Sequence, residues 1–482
     1  MNHRAAHSQH AFQDFLPLVR EGLSVTSRRN MLKAGLAGLA GLSVPDLLRL
    51  RDAASAANAP ISRRSVILLW MTGGPSHIDT WDPKPERPWI NRGPFSPIST
   101  AQPGTIICEH LPKQAAMLDK FTIIRSVDPK HSSHQPNQVM QTGDRAAAPR
   151  VNPKGDRYPA IASLCAKFRG SNHPAMPPYV AFFKHPTHVA WGGYLGRAYD
   201  PFEGNKAATL PVYDLLGKPQ NRTSGADLFQ LPAGLDHDRL SNRHALMQDF
   251  DRIRSGLDQG GSMEALDRYG QQAVDMVLGR QAQKAFDLSL EPESQRQRYG
   301  DHLWCQQALL ARRLVEAGVS FVTLDLSYHT ASGTWDNHGI PGGVYGGISK
   351  GLKPLLPLFD HLLTTLVSDL DERGLLDETL VIAMGEFGRT PNMGTQDSVD
   401  GRNHWPVVMS MCLAGGGFRH GQVIGASDYD GSNIAARPVT PADLAATIYH
   451  HMGVPLDAQY LDDRGRPKNI VLENGRPLVE LI

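Results

Sequence analysis

The sequence predicts an α/β protein with a mainly parallel central sheet sandwiched by helices. Three observations predict it. Residues 65–71 and 380–384 are apolar without alternation, as strands covered on both faces are. At the carboxyl end of each such stretch the composition flips to Gly, His, Asp, Glu and Arg. From Leu303 onward, amphipathic helical patterns alternate with strand patterns. Ligands of open α/β sheets bind outside the carboxyl ends of the strands, so the polar stretches mark where a site should lie.

The composition is that of an ordinary globular protein: 482 residues, 41% hydrophobic, with a formal charge of +1. Near-neutrality argues against a nucleic-acid partner, which would require a basic face. The cysteines, at 108, 165, 305 and 412, are scattered without a CxxC pair, and suggest neither a zinc knot nor a disulfide framework.

The first 56 residues read as a targeting segment. Ser27-Arg28-Arg29-Asn30-Met31-Leu32-Lys33 is a twin-arginine signature, followed by a small-residue, weakly apolar run and by Ala54-Ser55-Ala56, an A-x-A-like cleavage site. The run is broken by Pro45 and is too short for the roughly 20 apolar residues of a spanning helix. The expectation is a protein exported by the twin-arginine translocase, periplasmic or extracellular, without a transmembrane anchor, its mature part being residues 57–482.

The strand at 65–71 runs into Thr72-Gly73-Gly74-Pro75-Ser76-His77-Ile78-Asp79, where His77 and Asp79 could both face a site, or simply hydrogen-bond within a turn. A strand at 121–126 leads to His131-Ser132-Ser133-His134 and a helix ending at Thr142-Gly143. A serine at a helix start is an N-cap or, stabilised by the helix N-terminus, a nucleophile. Residues 178–183 form a further strand. Residues 200–300 carry helical signals and almost no strand signal, and read as a helical insertion.

Trp304, Ala308, Ala311 and Val315 share one helical face, with Gly318 as cap. The strand at 319–326 empties into a loop containing Asp336 and His338. Leu355, Phe359, Leu362, Leu366 and Leu370 define a second amphipathic helix. The strand at 380–384 delivers Glu386 and Arg389, and His404 stands before a strand at 407–413. A Glu386–Arg389 salt bridge in a structural loop would account for those two residues as well as a site does. Residues 422–424 read as a short partner strand, and Thr440-Pro441-Ala442-Asp443 as a helix start.

Collected at strand ends, His77, Asp79, Asp336, His338, Glu386 and His404 are a ligand set suited to a divalent ion: zinc, or else calcium or magnesium. Ser133, His134 and Arg389 complete a set that describes phosphoryl or sulfuryl ester hydrolysis. The metal polarises the ester, Ser133 attacks and Arg389 holds the oxyanion.

GGPSHIDTWDPKP at 73–85, HSSH at 131–134, TWDNHG at 334–339, MGEFGRTP at 384–391, GRNHWP at 401–406 and AGGGFRHGQVIGASD at 414–428 resemble the bacterial family called domain of unknown function 1501. The resemblance runs from about residue 65 to the C-terminus. It implies an alkaline phosphatase-like core related to sulfatases, with a two-metal site. Asp336, His338 and His404 match ligand positions, Ser133 matches the nucleophile, and Glu386-Phe387 replaces an Asp-His pair. Formylglycine chemistry is not expected, because Cys165-Ala166-Lys167-Phe168-Arg169 has Lys at +2 and Ser133 has Gln135 there. The expected function is a metal-dependent hydrolase acting on a small-molecule or glycan ester of phosphate or sulfate. The alternative is a non-catalytic binding protein for anionic glycans with a degraded site.

Overall fold

The computed structural model describes residues 63–134, 136, 138–225, 280–330, 332–340, 346–395 and 397–482. The expected export signal lies outside the described residues, as does most of the expected helical insertion. Eight strands form the main sheet: β1 (Ser65–Trp70), β2 (Phe121–Val127), β3 (Tyr179–Phe182), β4 (Phe202–Glu203), β5 (Phe321–Asp325), β6 (Thr379–Met384), β7 (Met409–Gly415) and β8 (Gln422–Ile424). Their order across the sheet is β8-β2-β7-β6-β1-β5-β3-β4. Only β7 runs against its neighbours; all other pairs are parallel.

The apolar runs form central strands because both of their faces are covered. Ile67 and Leu69 pack on one side with helices α3 (Leu303–Ala317) and α4 (Lys353–Glu372). Val66, Leu68 and Trp70 pack on the other with α2 (Ile161–Phe168) and α5 (Pro441–Met452). A short helix, α1 (Val139–Thr142), precedes these in the chain. The expected apolar faces of α3 and α4 are buried, and Gly318, at φ 111°, ends α3 in a left-handed conformation. Thr440 and Asp443 form a reciprocal capping box at the start of α5.

β1 lies between β5 and β6, and Trp70 is level with Asp325 on one side and Met384 on the other. The three strands therefore end at one edge, and their polar loops emerge side by side. Among the described residues no helix is long and apolar enough to cross a membrane. All four cysteines are buried free thiols.

Three expectations are corrected. Residues 422–424 pair with β2 rather than β7. The strand expected at 407–413 starts later, because Val407 is exposed and β7 begins at Met409. Residues 200–225 hold β4 and a hairpin of Leu210–Tyr213 with Pro219–Ser224, not helix alone. The second hairpin strand, PQNRTS, is exposed throughout, so no alternating apolar pattern announces it.

Two histidines, His302 and His451, give the fold a pH dependence. His451 bonds the carbonyls of Ser65 and Gly416, and His302 bonds the Tyr328 hydroxyl. Burial pushes each pKa down to about 4. In the unfolded chain both titrate near roughly 6.5, so between these values the unfolded state binds more protons and stability falls as pH falls. The urea midpoint at pH 5 should lie clearly below that at pH 6.5. Equal midpoints would mean that these rings take protons in the folded state.

Candidate metal centre

The loops are tied together by buried arginines. Arg389 has no exposed side chain, and its Nε donates to the Gly74 carbonyl at 2.8 Å. Nη1 donates to Arg402 O at 3.2 Å, and Nη2 donates to the carbonyls of Gly73 and Trp335. Nη2 also lies 2.7 Å from Asp336 Oδ1. One guanidinium thus joins the loops after β1, β5 and β6. Gly73, at φ 121°, is required here: a Cβ would stand 2.3 Å from the Asp336 nitrogen. Arg402 pairs with Asp79 at 2.6 Å and donates to the carbonyls of Asn91, Thr390 and Pro391.

On this frame four side chains converge. His134, Asp336, His338 and His404 each offer an atom, and these atoms all lie within 4.8 Å of one another. His404 Nε2 is 2.7 Å from His134 Nε2 and 2.8 Å from His338 Nε2. Asp336 Oδ2 is 3.2 Å from His134 Nε2, and Oδ1 is 3.0 Å from His338 Nε2. Asp336 Oδ1 lies close to Arg389, yet among the described residues no donor meets it with hydrogen-bonding geometry. Glu386 is completely buried, and its Oε1 accepts from Gly73 N at 2.8 Å and sits 3.2 Å from His134 Nδ1. A proton on His134 Nδ1 leaves the Nε2 lone pair facing the centre. Three Nε2 atoms meeting head to head cannot all find donors in one another, whereas a cation among them would satisfy every lone pair. Three imidazoles and a carboxylate are a donor set that suits such an ion.

The charges are mutually dependent. Burial alone would raise the Asp336 carboxyl, but Arg389 and the three imidazoles outweigh it and hold it far below the usual carboxylate range. Burial would depress His134, yet its bonds to Asp336 and Glu386 raise its pKa above the ordinary value. Burial lowers His404 to about 4 against the opposing pull of Asp336, so its ring is neutral at neutral pH.

The expected residues thus fall into groups. Asp336, His338 and His404 lie together in the cluster. His134, read as a catalytic group, stands among the candidate ligands. Glu386, read as a ligand, contacts His134 from behind. His77 and Asp79 have other partners and are not in the cluster: His77 Nε2 bonds the Gly431 carbonyl at 2.8 Å, and Asp79 pairs with Arg402. Arg389 cannot hold a substrate oxyanion, because its donors are committed to the loops. Ser133 is exposed in the loop after β2 and not at a helix start, since α1 begins only at Val139. It lines a cavity of about 710 Å³ together with His404 and Phe387. Phe387 packs 5.1 Å from the His134 ring and 5.0 Å from that of His404.

A buried pair escaped sequence reasoning. Asp325, the last residue of β5, lies 2.7 Å from His188 Nδ1 and accepts from Thr72 Oγ1 at 2.5 Å. A lone carboxylate closing an apolar strand was the available signal.

Fold and centre together define an α/β protein with a three-histidine, one-carboxylate cluster at the carboxyl edge of its sheet. The chain belongs to the family described as protein of unknown function (DUF1501), whose model matches residues 63–482. No curated protein matches it. Among solved structures it is similar to Ps i-CgsB, at 11% identity and a TM-score of 0.37 over 81% of this chain and 72% of that one. The PsFucS1 sulfatase from Pseudoalteromonas sp. gives 12% and 0.33 over 81% and 68%. The phosphonate monoester hydrolase of Agrobacterium radiobacter gives 12% and 0.34 over 86% and 76%. Likenesses this remote carry no argument about activity.

Replacing Arg389 with Met should cost about 3–5 kcal/mol, because it strands a buried carboxylate and several carbonyls. Lys should rescue little, since one ammonium cannot span the three loops. Urea unfolding of both variants measures this; a loss below about 1 kcal/mol, the worth of a surface pair, would show that the loops hold without the clamp.

Proposed function

We propose that the chain is a metal-dependent hydrolase of anionic esters, phosphate or sulfate, with its centre at the floor of the Ser133 cavity. The observation that carries this reading is the convergence of three Nε2 atoms and the Asp336 carboxylate beside a cavity large enough for a substrate. His134, Asp336, His338 and His404 would hold the ion, and the nitrogen-rich set suits zinc. A divalent ion bound there supplies Lewis acidity toward the ester oxygen. Glu386 fixes the His134 ring, Arg389 fixes the Asp336 carboxylate, and Phe387 keeps water from one flank of the imidazoles. Ser133, exposed on the cavity wall, is the candidate nucleophile.

One observation favours a second reading, an anion-binding protein without turnover. Four protein donors close a tetrahedral site, and closed sites are the structural kind. Turnover of 4-nitrophenyl phosphate or sulfate by metal-loaded protein separates the two.

His404→Ala should weaken metal binding by more than about ten-fold, since even outer-shell partners cost that much. It should also remove the stabilisation that a ligand of the folded state confers. Metal content by elemental analysis and melting with and without chelator check this; unchanged values would make His404 structural.

The same reading includes export by the twin-arginine route, supported by Arg28-Arg29 and the apolar run behind it. Arg28→Lys with Arg29→Lys should leave the protein in the cytoplasm. Undiminished extracytoplasmic yield would point to another route.

A further inference from the structure

The cavity beside the centre has an uneven chemistry. Its lining combines cationic and apolar groups. Ala146, Ala148, Pro149, Val151, Phe387 and Pro406 supply half of its lining residues. Val151 is 55% exposed, which costs free energy unless something apolar covers it. Among the described residues the lining contains no Asn, Gln, Asp, Glu, Tyr or Trp. A site built for sugar hydroxyls loses affinity when directed hydrogen bonds go unmade, and among the described lining residues Ser133 is the one exposed uncharged hydroxyl.

Of the two arginines in the lining, one is free to meet an anionic head. Arg145 lines the cavity but is engaged by Asp128 at 2.8 Å, Glu473 at 3.1 Å and the Lys130 carbonyl at 2.7 Å. Arg150 lines the same cavity, is exposed, and has no ion-pair or hydrogen-bond partner among the described residues. His404 opens onto the cavity from the centre. An anionic group at His404 would share the cavity with a free guanidinium, and the apolar lining is available to the rest of its molecule.

We propose that the substrate is an aryl or alkyl ester of phosphate or sulfate rather than a sugar ester, and that the wall formed by Ala146, Ala148, Pro149, Val151, Phe387 and Pro406 receives its apolar body. This rests on the reading of the centre as the seat of the anionic head, and it narrows the substrate from any anionic ester to one with an apolar body. Specificity arises from burial along the wall, while Arg150 and the centre supply attraction common to every anion.

The test is calorimetric titration of metal-loaded protein with three probes that carry the same kind of head: phenylphosphonate, methylphosphonate and glucose 6-phosphate. Phenylphosphonate should bind at least ten-fold more tightly than either of the others. Val151→Ser, at an exposed position, should shrink the phenyl-to-methyl ratio several-fold. Arg150→Ala should weaken phenylphosphonate and methylphosphonate by a similar factor and leave their ratio in place. Glucose 6-phosphate binding as tightly as phenylphosphonate, equal affinity for phenyl and methyl probes, or no binding of any probe at millimolar concentration would each overturn the proposal. Phenyl preference without hydrolysis of any ester would keep the apolar wall as a ligand site and overturn its assignment to a substrate, together with the hydrolase reading.

Discussion

The candidate centre depends on one buried contact, the Arg389 guanidinium against the Asp336 carboxylate. Taking two charges out of water costs several kcal/mol each, and their attraction recovers it only when the remaining donors and acceptors are also met. Arg389 meets this condition by donating to carbonyls of three loops. The arrangement exchanges local freedom for position: Asp336 has one place to stand, and the imidazoles around it inherit that placement. Arg402 and Asp79 repeat the device one layer outward and brace the segment that carries His404.

Much of the architecture was legible because burial leaves a periodic trace. Uninterrupted apolar runs gave β1 and β6, and the spacing of Trp304, Ala308, Ala311 and Val315 gave α3. Asp336, His338 and His404 were legible for a different reason. Polar residues directly after a buried strand have few structural uses, and three such loops ended at one edge. The strand hidden in residues 219–224 left no trace, because it is exposed and nothing in it alternates.

The errors within the site share a cause. His77 and Asp79 have the right chemistry at the right strand end. Their roles are decided by Gly431 and by Arg402, hundreds of positions away. Glu386 likewise differs from a ligand only by standing behind His134. Ser133 was placed on an apparent helix start, but the helix forms a turn and a half later, where Val139 and Met140 find apolar cover. Residue type announces candidates. Whether a side chain faces the centre, supports a neighbour or closes an ion pair is decided by contacts that are distant in sequence.

The four converging side chains come from three segments, and His134 and His404 are 270 positions apart. Pairing of the sheet strands brings these segments together, so the cluster rests on non-local contacts, the kind that form slowly. A partly synthesised chain has the scattered histidines but not the pocket they make. An ion held by this cluster would therefore be captured in its full coordination only after the strands that carry the three segments have paired.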